Sequence, residues 1–328
     1  MEATVRMRIC PRIRRLLSGV LVALLAMAAA RVRAQAIWFA PPDNLARPGI
    51  PPRHPDYPGL FAANAVWDAR VGALLIPQFY AARAPDQDLL RIGAWLRQHR
   101  IALGVATGTA IIARGECGPL EGLTVPAATF NLFRRLHRLG LAVQYVGMDE
   151  PLTFGHIYHA ARACRLPIPD LARRVASAVA EIRIWYPAVR IVDYEAITAA
   201  PEPEIGAILT QWVAAYRAAV GAPPYAIIAD LNWRLAWRPA LQQMVAIAHR
   251  DGVRAGVFLD GTGPGVSSAA WVAAAQRNTD AVVAMRLPLD ILLVANWTIH
   301  PRRALPAQDP ATLTHFLGWV LARHGGPG

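Results

Sequence analysis

The sequence predicts a (β/α)8 barrel, and three observations carry that prediction. Eight short apolar runs alternate with amphipathic stretches of ten or more residues, the signature of parallel strand–helix units. Four successive runs, the fourth to the seventh, end in carboxylates, poor choices for packing but reasonable ones at the mouth of a barrel. Beyond a leader of 34 residues the chain keeps 294, modestly more than the ~250 typical of this fold, so one domain over 35–328 is expected.

Ile37-Trp38-Phe39-Ala40 reads as the first strand, with a proline-rich loop through Pro58 and a first helix over Leu60 to Arg70. Val71 to Phe79 is the second strand and Gln87 to Gln98 its helix. Ile101 to Ala106 is the third, followed by a long loop and a helix over Ala127 to Leu139. The fourth strand, Leu141 to Met148, leads to a helix over Leu171 to Trp185 that stops before Pro187. Val189 to Val192 and Glu204 to Val220 form the fifth unit, Tyr225 to Ala229 and Ala240 to Arg250 the sixth. Gly256 to Leu259 with Ser268 to Arg277 is the seventh, and Ile291 to Ala295 with Thr312 to Arg323 closes the series. Several joints repeat one device: Arg138-Leu139-Gly140, His99-Arg100-Ile101 and Asp251-Gly252-Val253 place a basic helix end, often with a glycine cap, before the next apolar run. A doubly wound open sheet is the competing architecture, but no Gly-x-Gly-x-x-Gly follows the first strand.

The first 34 residues read as a signal peptide. Arg6, Arg8, Arg12, Arg14 and Arg15 make a basic start, Leu16 to Ala30 is mostly apolar, and Val32-Arg33-Ala34 offers small residues for cleavage near Ala34. The apolar run is shorter than the ~20 residues of a spanning helix, and no later segment is long and apolar enough to span. Export to a periplasm or the extracellular space is expected, with no stable membrane association once the leader is removed. Seven arginines and Glu2 in the leader account for half of the net charge of +12, leaving about +6.

All 34 Lys+Arg residues are arginine, which excludes the P-loop, Schiff-base aldolases and pyridoxal-phosphate enzymes. No cofactor is expected. The arginines are scattered, as at Arg173-Arg174 and Arg302-Arg303, rather than arranged in a stripe with interleaved aromatics, so no nucleic-acid partner is expected. Cys10 leaves with the leader. Cys117 and Cys164 fall on loops at one end of the barrel, where an exported protein can join them in a disulfide.

The candidate catalytic residues are Glu150, Glu195, Asp230 and Asp260. Met148-Asp149-Glu150-Pro151 closes the fourth apolar run, Asp193-Tyr194-Glu195 the fifth, Asp230 the sixth and Asp260 the seventh. Strand ends converge in this fold, and glycosidic hydrolysis needs one protonated and one ionised carboxyl group. Grouping acids is one way to keep a carboxyl protonated. A strand-end acid can equally cap the next helix, so it is the four in phase that matter. Trp38, Trp233, Trp237 and Trp297 stand at or just beyond strand ends, where sugar rings could stack, and Asn232 and Asn296 could bond hydroxyls. Glu116 and Glu121, in the long third loop, are expected to wall the cleft. A carbohydrate is the expected partner; the oligomeric state is not legible.

Glu150-Pro151 at the end of a fourth strand resembles the Asn-Glu-Pro motif of the large clan of retaining (β/α)8 glycoside hydrolases. The resemblance implies Glu150 as acid/base, and Trp297, ending the eighth strand, as a platform beneath the sugar. Asp149 stands where the clan has asparagine, so the usual bond to a 2-hydroxyl would need another geometry. The clan's nucleophile is a glutamate ending the seventh strand, where this chain has Asp260. A shorter side chain there leaves room for water and an inverting course. Glu195 is an equal alternative as the partner carboxylate, and a carbohydrate-binding barrel without turnover is the alternative to an enzyme. His156 and His159, spaced i, i+3 near Asp149 and Glu150, suggest a metal site more weakly, and no metal is expected. The absence of Gly-x-Ser-x-Gly argues against an α/β-hydrolase.

Overall fold

A computed structural model of the chain describes residues 35–45, 54–118, 120–201, 203–261 and 267–325. The leader over 1–34 lies outside the described residues. Eight parallel strands close into a barrel: β1 (Ala36–Ala40), β2 (Ala73–Pro77), β3 (Ala102–Thr107), β4 (Val143–Asp149), β5 (Arg190–Ala196), β6 (Ala226–Asp230), β7 (Arg254–Leu259) and β8 (Ile291–Ala295). Each pairs with its sequence neighbours, and β1 returns to β8 from Ala36↔Ile291 to Ala40↔Ala295. The fold is the (β/α)8 barrel. Helices α1 (Gln78–Arg83), α2 (Asp86–His99), α3 (Ala128–Arg138), α4 (Ile168–Trp185), α5 (Glu204–Val220), α6 (Trp237–Arg250), α7 (Ser268–Ala284) and α8 (Leu313–His324) form the outer layer. No helix among the described residues is long and apolar enough to cross a membrane.

Successive strand residues face opposite sides of a sheet, so each strand divides into an inner and an outer set. The inner set is Trp38, Ala73, Leu75, Ala102, Tyr145, Val192, Tyr194, Ala226, Ile228, Phe258, Ile291, Leu293 and Ala295. The intervening residues, Phe39, Val146, Ile191, Val257 and Leu292 among them, join the larger core beneath the helices. Large inner side chains face small ones. The Tyr194 ring occupies the space a side chain at Gly147 would take. Gly147→Ala is therefore expected to destabilise the protein by about 1–3 kcal/mol and to displace Tyr194 from the barrel axis. Chemical denaturation and tyrosine fluorescence would register both effects.

One expected helix does not form. No helix spans Leu60 to Arg70; a 3-10 turn at Tyr57–Phe61 takes its place. Asp68 accepts hydrogen bonds from the Arg70 amide (3.2 Å) and guanidinium (2.9 Å), a local alternative to helical bonding. The Trp67 indole donates to the Leu60 carbonyl at 2.9 Å and folds the segment back on itself.

Trp38, expected at a strand end, sits within β1. It is buried in the barrel interior against Tyr145, with ring centroids 4.5 Å apart, and presents no face to a sugar.

Candidate active site

The C-terminal mouth of the barrel holds a cavity of about 270 Å³. Its lining includes Asp43, Glu121, Asp149, Glu150, Asp230, Tyr194, Phe258, Asn296 and Trp297. Asp149 and Asp230 reach it by strand alternation, since Asp149 lies four residues beyond Tyr145 on β4 and Asp230 four beyond Ala226 on β6. Glu150, next to Asp149, would face outward if the strand simply continued. It does not, because its backbone is left-handed, with φ +56°. That conformation costs a non-glycine residue about 1–2 kcal/mol and breaks the alternation, so two consecutive acids face one cavity. The Glu150 amide donates to Met148 and Tyr194 carbonyls, both at 3.1 Å, which holds the turn.

The Glu150 carboxyl is hydrogen-bonded to that of Asp230. Burial, then the Asp230 charge, then Glu195, lift Glu150 far above the usual carboxylate range, so it carries a proton at neutral pH. Asp230 is raised as well, chiefly by burial, while the bond from Glu150 pulls it back down. Two carboxyls thus share one proton, as neighbouring acids that cannot both ionise do. Asp149 is pushed up to about 7, first by burial, then by Glu121 and Asp230. No described residue donates a hydrogen bond to its carboxylate.

Glu195 and Asp260 do not join this group at the cavity wall. Glu195 lies inside β5, which runs four residues further than the apolar run suggests, so alternation turns Tyr194 inward and Glu195 outward. There it accepts from the Leu152 amide (2.7 Å), the Thr153 amide (2.9 Å) and the Thr153 hydroxyl (2.8 Å), pinning the segment after Glu150. Its neighbour Asp193 accepts from the Trp212 indole at 2.6 Å. Asp260 is buried beside Asp230, and the Trp233 indole covers it, donating at 3.1 and 3.2 Å to the two carboxylate oxygens. Trp233 is therefore a partner of Asp260 rather than part of the cavity lining. Asn232 is exposed and closes its own turn, accepting from the Arg234 amide at 3.1 Å. His156 bonds the Leu166 carbonyl at 2.7 Å, and no group of three or more metal-ligating side chains is found among the described residues.

Trp297 lines the rim and keeps 39% of its surface exposed, edge-on to Phe258. Asn296 also lines the cavity; its oxygen accepts from the Thr298 amide (2.9 Å) and hydroxyl (3.0 Å), and its nitrogen faces His54 at 3.3 Å.

The third loop divides its two acids. Glu121 lines the cavity, whereas Glu116 forms a two-point ion pair with Arg174 of α4, at 2.6 and 2.8 Å. Gly122, at φ +75°, lets the loop lie against the end of β4: a Cβ there would fall 2.7 Å from the Glu150 carbonyl oxygen. A disulfide joins Cys117 of this loop to Cys164, with Cα atoms 5.1 Å apart, and the Gly118 amide donates to Arg162 at 2.8 Å. The bridge spans 47 residues, so Cys117→Ser is expected to lower stability by about 2–4 kcal/mol, read as a reduced urea midpoint.

Asp43 in the loop after β1, and the inner residues Tyr194 and Phe258, were not among the residues singled out from sequence. Alternation along β5 and β7 would have found the last two.

Neither a family model nor a curated protein matches this chain. Among solved structures, a psychrophilic glycoside hydrolase family 10 endo-β-1,4-xylanase is similar at 14% identity and TM-score 0.48, over 80% of this chain and 86% of that one. The intracellular xylanase of Thermoanaerobacterium saccharolyticum aligns at 12% identity and TM-score 0.44, covering 82% of this chain and 87% of its own. The N-acetylneuraminate lyase of Aliivibrio salmonicida aligns at 9% identity and TM-score 0.43, over 80% and 69%. Xylanases and a lyase thus resemble the chain at similar levels, and its assignment to the (β/α)8 fold rests on its own closed sheet.

Proposed function

We propose that this barrel is an exported glycoside hydrolase-like enzyme acting on a poly- or oligosaccharide. The observation that carries the reading is the hydrogen-bonded Glu150–Asp230 pair at the cavity wall, with a half-exposed tryptophan at the rim. Glu150 is the proton donor to the leaving oxygen, and Asp230 holds that proton in place until the substrate takes it. Asp149, with no donor among the described residues, is the second carboxyl, ionised for attack or for activating water. Asp230 and Asp149 replace Glu195 and Asp260 as partners, because the latter two do not line the cavity. Trp297 provides an apolar face for a sugar ring. The basic, apolar leader and the disulfide support export.

Reducing-sugar release from a panel of glycans, by the native protein and by Glu150→Gln and Asp230→Asn, tests the reading. Cleavage by the native protein alone is expected. Full turnover by Glu150→Gln would remove Glu150 from its role. A second reading is favoured by one feature: Asp260, the acid at the end of the seventh strand, is covered by the Trp233 indole instead of lining the cavity. A saccharide-binding barrel without turnover would bind glycans calorimetrically and release no products.

A further inference from the structure

Hydrolysis of a neutral glycoside uses two carboxyl groups, yet this cavity is lined by more. Glu121, Asp149, Glu150 and Asp230 face it, Asp43 adds a fifth acid, and no arginine or histidine is among the described lining residues. That is a pronounced bias in a chain with a net charge of +12 and 34 basic side chains. With one proton shared between Glu150 and Asp230, and Asp149 ionising near neutral pH, the cavity still holds negative charge that a neutral sugar would desolvate without compensating.

An independent observation also points to a ligand. Tyr194 lines the cavity at 3% exposure, and its buried hydroxyl has no hydrogen-bond partner among the described residues. At a cavity wall, a buried hydroxyl left unpaired is a donor that an occupant's oxygen can satisfy. Gly147 makes its placement possible, since any side chain there would evict the ring. Asp149 stands two residues beyond Gly147 on the same face of β4, so an unpartnered donor and an unpartnered carboxylate lie side by side on one wall. Above them is the Trp297 face, whose quadrupole also attracts cations.

We propose that the saccharide unit held here carries a free primary ammonium group, so that the substrate class is a de-N-acetylated amino-sugar polymer. The ammonium lodges against Asp149 and Glu121, and Tyr194 donates to a ring oxygen. This deepens the hydrolase reading and rests on it for the identity of the ligand as a sugar. The net charge of the whole protein would repel such a ligand, so any preference for it must arise locally, in the cavity.

The test uses the full chain carrying Glu150→Gln, titrated calorimetrically at pH 7 with glucosamine tetramer, its fully N-acetylated counterpart and cellotetraose. The glucosamine tetramer is expected to bind at least about tenfold more tightly than either neutral ligand, with an affinity that falls as salt rises. Glu121→Gln should erase most of that preference while leaving cellotetraose binding within about twofold, and Asp149→Asn should erase the preference as well. Glu121 is exposed in its loop, so its variant keeps the test open if Asp149→Asn does not fold. Equal or weaker binding of the glucosamine tetramer, or no binding of any of the three, overturns the inference. The two readings separate cleanly. Native protein that prefers the glucosamine tetramer but releases no product leaves the inference standing and sinks the hydrolase. Cleavage of neutral glycans without an ammonium preference does the reverse.

Discussion

Glu150→Gln is expected to lower kcat by about 10²–10⁴ on a saccharide with an ordinary alkoxide leaving group, the usual worth of a positioned general acid. The same substitution should leave stability nearly unchanged. Glutamine has the shape of a protonated glutamate, and its amide can donate to Asp230 as the carboxyl does now. Loss of turnover with retained folding is thus the signature of a chemical role. Substrates whose leaving group needs no proton, such as aryl glycosides with a nitrophenolate, should recover most of the rate, because the missing step is protonation. Glu150→Ala gives a different pattern, leaving Asp230 unpaired in a buried wall and costing about 1–3 kcal/mol besides. A variant in which both kinds of substrate fall equally would argue that Glu150 positions the site rather than donating to it.

The second large effect is on stability against pH. Asp149 titrates near 7 in the folded chain against 3.8 for an unperturbed aspartate, with burial the main cause. Glu150, Asp260 and Glu195 are displaced in the same direction, again chiefly by burial. Between pH 4 and 7 the folded state therefore holds more protons than the unfolded one, and stability must fall as pH rises. The contribution is fully present below about pH 4 and is lost on the way up. For Asp149 alone the loss reaches about 4 kcal/mol at the upper end of that window. Opposing groups exist: Glu116 and Asp251 are lowered by their arginine partners, but these pairs lie near the surface and are worth little. The urea midpoint should accordingly drop from pH 4.5 to pH 7.5, and Asp149→Asn should flatten the profile. A stability that is level or rises over that range would mean the carboxyls are better hydrated than their burial implies.

Much of the barrel was legible because its signals are local. Glu204–Val220 and Ile291–Ala295 have the bounds the sequence suggests, the first capped by Gly221 in a left-handed conformation, the second an unbroken apolar run. What could not be read locally was where a strand stops. Val189 to Val192 looked complete, but β5 continues from Asp193 to Ala196, because parallel pairing reaches Tyr194 on the β4 side and Ala196 on the β6 side. Four more residues of pairing decide which way each side chain points, and they turned Glu195 away from the cavity. Glu150 presents the converse problem. A left-handed glutamate has no sequence signature, yet this backbone angle is what brings it beside Asp149. The failure at Leu60 to Arg70 is of a third kind: an apolar spacing compatible with a helix lost to Asp68 closing a turn on Arg70. Trp233 and Asn232 sit where strand-end residues should, but their hydrogen bonds are spent on Asp260 and Arg234.

The barrel carries a second neighbouring couple of acids, Asp193 and Glu195, sealed under the helical layer on the far side of the sheet from the first. Both couples sit in comparably dry surroundings, but only one borders a hollow that a guest molecule can enter. The sealed couple is consequently a listener rather than a participant: in a carbon-13 titration of labelled aspartate and glutamate, Glu150 and Asp230 should respond most to each added ligand, and the sealed couple only by the smaller shift that the field between Glu195 and Glu150 transmits.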